Sequence, residues 1–214
     1  MAFLVEFLVF LQKRKIKKRL EQEEKEAEKG IAEAQFRLGQ HYEFGTEIEQ
    51  NYRLAFFWYQ KAADQDLAQA QYNLGLLYEH GRGVLQDYHK AAELYQKAVK
   101  QGDPWAMTNL AFLYSHGKGL EQSDEQANEL YQEAAKKGHF QAQYNLAARY
   151  ASGRGFGINL VLAYYWFERA KLGASALNQE RSNRMLERLA EHMSQEEQEE
   201  ARQMLHDLFR PSPE

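Results

Sequence analysis

Four segments of this chain align with one another without a gap at a spacing of 36 residues, starting near Glu33, Gln69, Trp105 and Gln141. Alanine recurs at Ala34, Ala70, Ala106 and Ala142, and leucine at Leu38, Leu74, Leu110 and Leu146. Tyrosine follows at Tyr42, Tyr78, Tyr114 and Tyr150, and glycine at Gly45, Gly81, Gly117 and Gly153. Further along come Ala55, Ala91, Ala127 and Ala163, then Tyr59, Tyr95, Tyr131 and Phe167, then Ala62, Ala98, Ala134 and Ala170. So many coincident columns exclude chance. A unit this short cannot hide its apolar side alone, so neighbouring units must stack to make a continuous core.

Each column has a physical reading. Ala34, Leu38 and Tyr42 stand at i, i+4 and i+8, on one face of a helix. Ala55, Tyr59 and Ala62 stand at i, i+4 and i+7 on a second helix. The small column Gly39, Gly75, Ala111 and Ala147 lets two helices approach closely, a reason for tolerating a mid-helix glycine that costs up to ~1 kcal/mol. Glycine pairs at Gly81 and Gly83, Gly117 and Gly119, and Gly153 and Gly155 are expected to end the first helix and turn the chain; Glu47 replaces the second glycine in the first unit. Asn51, Asp87, Ser123 and Asn159 share an N-cap column, and Gln126 gives Ser123 the spacing of a capping box. Gly30, Gly102 and Gly138 recur as C-caps of the second helix, with Asp66 in the same column. Asp103 and Pro104 supply a helix start.

The best-kept copy runs from Ala70 through Leu74, Gly75, Tyr78, Gly81 and Gly83 to Asp87 and Ala91. This pattern resembles the Sel1-like repeat, a relative of the tetratricopeptide repeat, over residues 31 to 174. The longer unit and the paired glycines separate it from the ordinary tetratricopeptide spacing. The resemblance implies an all-α, right-handed α-solenoid of four helix-turn-helix repeats. Three regions are expected: residues 1–29 as an N-terminal helix, 30–174 as the repeats and 175–214 as capping helices. The disulfide-stapled branch of the family is excluded, because the chain has no cysteine.

The ends are read separately. Residues 176–193 form a helix with a stripe of Leu177, Met185, Leu186, Leu189 and Met193. Ser194 to Glu197 is a capping box opening a last helix that buries Ala201, Met204, Leu205 and Leu208 and stops at Arg210 and Pro211. At the other end, residues 1–11 are apolar apart from Glu6, a basic block fills 13–19, and acidic residues fill 21–28. That order is the reverse of a secretory signal. Two readings stay open. The stretch is a helix packed on the first repeat or on another subunit, or it dips into a membrane, giving peripheral membrane contact through residues 1–19. The corresponding location is cytoplasmic or membrane-associated through the N-terminus.

A net charge of −4 argues against nucleic acid as a partner. No nucleophile, phosphate-binding or metal motif occurs, and His80 and His116 belong to glycine turns, so no catalytic residue, metal or cofactor is expected. A hydrolase acting on cell-wall or β-lactam-like substrates is the enzymatic alternative that the resemblance suggests, and no residue here calls for it. The resemblance instead implies a scaffold whose first helices line a groove for a peptide or protein partner. The candidate groove residues are Phe36, Arg37, Tyr72, Asn73, Trp105, Asn109, Phe112, Tyr144 and Asn145. The amides of Asn73, Asn109 and Asn145 suit either a peptide backbone or a bridge between repeats, and the aromatic residues would supply side-chain pockets.

Overall fold

The computed structural model describes residues 2–208, with side chains described for 12 and for 14–206. The packing of the 1–11 stretch, the burial of Leu208 and the stop at Arg210 and Pro211 therefore lie outside the described residues. Among those described, eleven helices and no strand occur. They fall into two compact units divided after Asp103.

The first unit contains α1 (Ala2–Glu28), α2 (Ala32–Phe44), α3 (Tyr52–Ala63), α4 (Ala68–His80) and α5 (Tyr88–Lys100). Here α2/α3 and α4/α5 are the first two helical hairpins. The expected alanine, leucine and tyrosine positions form their core: Ala55, Tyr59, Ala62, Ala70, Leu74, Ala91 and Tyr95 are fully buried. The small column works as the spacing predicts. A side chain added at Gly75 would begin 2.6 Å from the ring of Tyr95, and one at Gly39 would begin 2.5 Å from that of Tyr59.

The second half of α1 stands against α2 in the register of a preceding repeat's second helix. Gln35 donates to the carbonyl of Ala27 at 3.0 Å. Gln143, its equivalent in the fourth repeat, donates to the carbonyl of Ala135 at the same distance. Charges replace consensus residues at this first junction. Glu23 occupies the tyrosine column and meets Arg37, which occupies the asparagine column, at 3.5 Å.

Glu47 follows the same logic. In the second repeat the equivalent Gly83 has φ +72°, and a side chain there would start 2.4 Å from the backbone of Tyr52. That glycine is required because the preceding repeat leaves no room. The first repeat has α1 as its neighbour, and Glu47 pairs with Arg19 instead.

The second unit contains α6 (Pro104–His116), α7 (Asp124–Lys136), α8 (Phe140–Ser152), α9 (Leu160–Lys171), α10 (Ala176–Ala190) and α11 (Gln195–Leu208). The last two helices cover α9. The second capping box forms in full: Glu197 N–H donates to Ser194 Oγ at 3.1 Å, and Ser194 N–H donates to Glu197 Oε2 at 2.8 Å. Leu186, Leu189 and Met193 are buried as expected, whereas Leu177 is 65% exposed. Leu177 lies in the first turn of α10, outside the buried stripe.

All four expected N-caps accept from their helix starts. The box at Ser123 is only half made. Gln126 N–H donates to Ser123 Oγ, but the Ser123 N–H goes to the carbonyl of Tyr114 at 3.0 Å. Asn51, Asp87 and Asn159 donate likewise to Tyr42, Tyr78 and Tyr150. The turn uses that N–H in every repeat, so nothing is left for a glutamine to satisfy.

His139 opens α8 buried, with its ring edge on Trp105 at a 4.2 Å centroid distance. Thr108 Oγ1 donates to the carbonyl of Pro104 and lies 2.7 Å from His139 Nδ1. The hydroxyl proton is thus committed, and the network assigns the imidazole proton to Nδ1. Nε2 is buried with no partner. Burial pushes the imidazole down to about 4.

Three outcomes follow for thermal and pH-dependent unfolding. Gly83→Ala should lower stability by about 3 kcal/mol, since it adds left-handed strain to a backbone clash. Asp66, the only non-glycine among the described residues with a left-handed φ, at +61°, stands where glycine recurs. Its Oδ1 also accepts from the buried Gln71 Nε2 at 3.2 Å, so Asp66→Gly should lower stability by about 1 kcal/mol even though it relieves the left-handed φ. For His139 the unfolded chain binds a proton near pH 6.5 and the folded chain only near 4. Its contribution is complete above pH 6.5 and falls as pH drops toward 4, by on the order of 2 kcal/mol. His139→Phe should remove that part of the acid sensitivity in urea titrations at pH 7 and pH 4.5.

Candidate functional site

The candidate groove residues all lie on the first helices of their repeats, and each unit presents its own set. In the first unit, Phe36 tilts against the ring of Tyr59 at 5.7 Å and Tyr72 against that of Tyr95 at 5.9 Å. Both are half-buried, each showing part of its ring to solvent. Arg37 is drawn toward α1, with Glu23 at 3.5 Å and Glu26 at 3.6 Å. Phe44 adds an exposed aromatic at the far end of α2, one that column reading did not single out.

In the second unit, Trp105, Asn109 and Phe112 stand at i, i+4 and i+7 along α6, and Gln141, Asn145 and Ala148 occupy the corresponding places on α8. Trp105 is 49% exposed, although its edge is held by His139. Phe112 is half-buried, stacked on His116 at 4.1 Å with the Lys118 ammonium 5.1 Å from its ring centre. Tyr144 is more enclosed: Phe167 meets it edge-on at 5.1 Å, and the Arg181 guanidinium of α10 covers it at 4.9 Å. The C-terminal helices thus occupy part of the surface at Tyr144.

The asparagine column is already engaged within the protein. Tyr59 Oη donates to Glu43 Oε2 at 2.6 Å, and the Asn73 side chain stands close enough to act on the same hydroxyl. Glu43 and Tyr59 belong to one repeat and Asn73 to the next. Burial, reinforced by Glu43, pushes the Tyr59 hydroxyl well above the usual phenol range. In the second unit burial raises the Tyr131 hydroxyl too, with Asn145 and Ser115 beside it. Asn145 Oδ1 also accepts from Gln141 at 3.0 Å. Asn73 and Asn145 therefore stand beside the tyrosine of the preceding repeat and are half-buried at the face. Asn109 has the same half-buried setting in α6.

One feature of this face escaped the search for shared columns. Arg149 is buried beside the Phe112 and Asn145 face. Its Nη2 meets Asp124 Oδ1 at 2.6 Å, and its Nε donates to Asn128. Arg154 Nε meets the same Asp124 oxygen at 3.0 Å. The hydrogen bond and charge of Arg149, with Arg154 adding to them, hold the Asp124 carboxyl below the usual carboxylate range. The signal was present as a break in a column: Arg149 stands where the second and third repeats carry Leu77 and Leu113.

Among the described residues, no group of three or more histidine, aspartate or glutamate side chains is placed to hold a metal ion. Among the same residues, no helix is long and apolar enough to cross a membrane.

Comparison with known proteins agrees with this architecture. The Sel1 repeat model matches residues 32–67, 68–103, 106–139 and 140–175. The chain is similar to a protective antigen of uropathogenic Escherichia coli that displays an SLR fold. That match has 34% identity and a TM-score of 0.70 over 74% of this chain and 34% of the antigen. A Sel1 repeat protein from Oxalobacter formigenes is also 34% identical, with a TM-score of 0.69 over 74% of this chain and 65% of that one. An immunity protein from Pseudomonas aeruginosa shares the fold at 23% identity and a TM-score of 0.50, over 71% of this chain and 56% of its own. The chain thus spans about a third of the E. coli antigen and just under two thirds of the Oxalobacter protein. No curated protein of similar sequence matches. Four matched repeats, helical hairpins built on the same buried columns and two solved relatives at 34% identity lead to one conclusion: this chain belongs to the Sel1 repeat family.

Proposed function

We propose that this protein is a non-enzymatic scaffold that holds a segment of a partner protein against the first helices of its repeats. Sel1 repeat proteins generally act as protein-interaction scaffolds. The observation that carries the reading for this chain is Trp105. A large ring is left 49% exposed on α6, on the same face as Phe112 and next to half-buried amides. Stacking the repeats does not need an exposed tryptophan. An aromatic anchor flanked by amide donors and acceptors is what a docked peptide uses for its side chains and backbone.

The asparagines fit the same role. Asn73 and Asn145 stand beside a tyrosine of the preceding repeat, and Asn145 Oδ1 also accepts from Gln141 at 3.0 Å. An amide held by such neighbours loses less entropy on meeting a peptide than a mobile one.

The test is affinity capture from native cells with mass spectrometry, comparing the wild-type protein with Trp105→Ala plus Asn109→Ala. The double variant should keep its helical circular dichroism and lose its principal partner at least tenfold. Equal capture of the same partner by a folded double variant would remove the face from consideration.

A further inference from the structure

The cleft between α6, α7 and α8 in the second unit has a chemistry that the other repeats do not share. It encloses about 280 Å³ and is lined by Phe112, Tyr131, Asn145, Arg149, Ser152 and Arg154, among others. Three polar residues beside it break columns that are otherwise mostly apolar. Arg149 replaces Leu77 and Leu113, both fully buried in their own repeats. Asn128 replaces Phe56 and Ala92. Asp124 stands in the column of Tyr52, Tyr88 and Leu160. Burying a guanidinium in place of leucine is a desolvation cost that packing alone does not justify. Local departures from an otherwise consistent pattern concentrate where function intervenes.

The charges do not balance. Arg149 and Arg154 share a single carboxylate oxygen, Asp124 Oδ1, at 2.6 Å and 3.0 Å. Asp124 is held ionised, so it cancels one of the two cations. The Lys118 ammonium stands over the Phe112 ring at the cleft's edge. The walls are aromatic at Phe112 and Tyr131; the Asn145 amide is able to donate, while Ser152 Oγ donates to the carbonyl of Arg149 at 3.3 Å. A space of this size takes one side chain rather than a folded element.

From this arrangement we propose that the cleft binds a glutamate side chain presented by an extended segment of the partner protein, its carboxylate on Arg149 and Arg154 and its methylenes between the rings of Phe112 and Tyr131. The proposal rests on the groove reading above, and Phe112 and Asn145 belong to both. The occupant is a local acidic residue, even though the chain as a whole carries a net charge of −4. Charge-assisted hydrogen bonds of this kind discriminate by about tenfold or more, and the discrimination weakens with salt.

The test uses the full chain and fluorescein-labelled nonapeptide pools with randomised flanks and a fixed central residue, read by fluorescence anisotropy. The central residue is glutamate, glutamine, lysine or phosphoserine, and one further pool carries only a free C-terminal carboxylate. The glutamate pool should bind at least tenfold tighter than the glutamine pool at low salt. Arg149→Leu restores the residue of the other repeats and should abolish that preference with an unchanged melting temperature. Arg154→Ala, at a partly exposed side chain, should weaken it several-fold and decides the matter if Arg149→Leu does not fold.

Equal binding of the glutamate and glutamine pools overturns the proposal, as does a glutamate preference that survives both variants. A clear preference for phosphoserine or for the free C-terminus also overturns it and reassigns the cleft. If all pools bind alike and Trp105→Ala weakens every one, the groove reading stands without its acidic determinant. If none binds, both fall.

Discussion

The fold turns on the tyrosine in the middle of the second helix of the first three repeats, a position that Phe167 fills in the fourth. Tyr59 is fully buried, and its ring lies so close to Gly39 that no larger residue fits there without displacing it. Its hydroxyl then has to find partners, because a buried phenol left unbonded would cost more than its ring burial is worth at the margin. Glu43 of the same repeat accepts from it, and Asn73 of the next repeat stands beside it. One side chain thereby sets the spacing within a hairpin and ties that hairpin to its successor. In the second unit Tyr131 takes the same buried place, beside Ser115 and Asn145.

The ends show what happens where a neighbour is missing or different. At the first junction α1 stands in for a second helix, and Glu23 with Arg37 replaces the tyrosine and asparagine. Glu47 is free to replace glycine and reaches Arg19, while His41 Nε2 lies 3.0 Å from Glu23 and its Nδ1 lies 3.6 Å from Glu47. Glu23 is buried and His41 and Glu47 are largely so, and the desolvation of such groups offsets much of their attraction. Their effect is on register, since each charge has its complement only when α1 lies in the repeat's own phase. At the other end α10 and α11 close α9 with an apolar stripe, and Arg181 covers Tyr144.

The repeat boundaries, the buried columns and the four N-caps were all legible in the sequence, because each is a local or periodic demand that the chain states four times. What was not legible depended on geometry between columns. The approach of Asn73 to the Tyr59 hydroxyl joins positions that spacing alone does not pair. Asp66 kept the left-handed conformation of the glycines in its column, which shows that the turn of the repeat overrides the residue's own preference. The half-made box at Ser123 was missed because the turn already uses that N–H. The cluster around Arg149 was visible as an exception at a leucine position. Reading columns for likeness passes over the places where a repeat departs from its siblings, and such departures carry the individuality of a binding face.

The claim on which the rest depends is that the tyrosine hydroxyl couples one repeat to the next. A double-mutant cycle of Tyr59→Phe and Asn73→Ala, followed by urea unfolding, measures that coupling directly. A hydrogen bond between the two side chains predicts an interaction energy of about 1 kcal/mol between the two substitutions. Effects that add to within about 0.3 kcal/mol would contradict it and would leave the stacking to apolar contact alone.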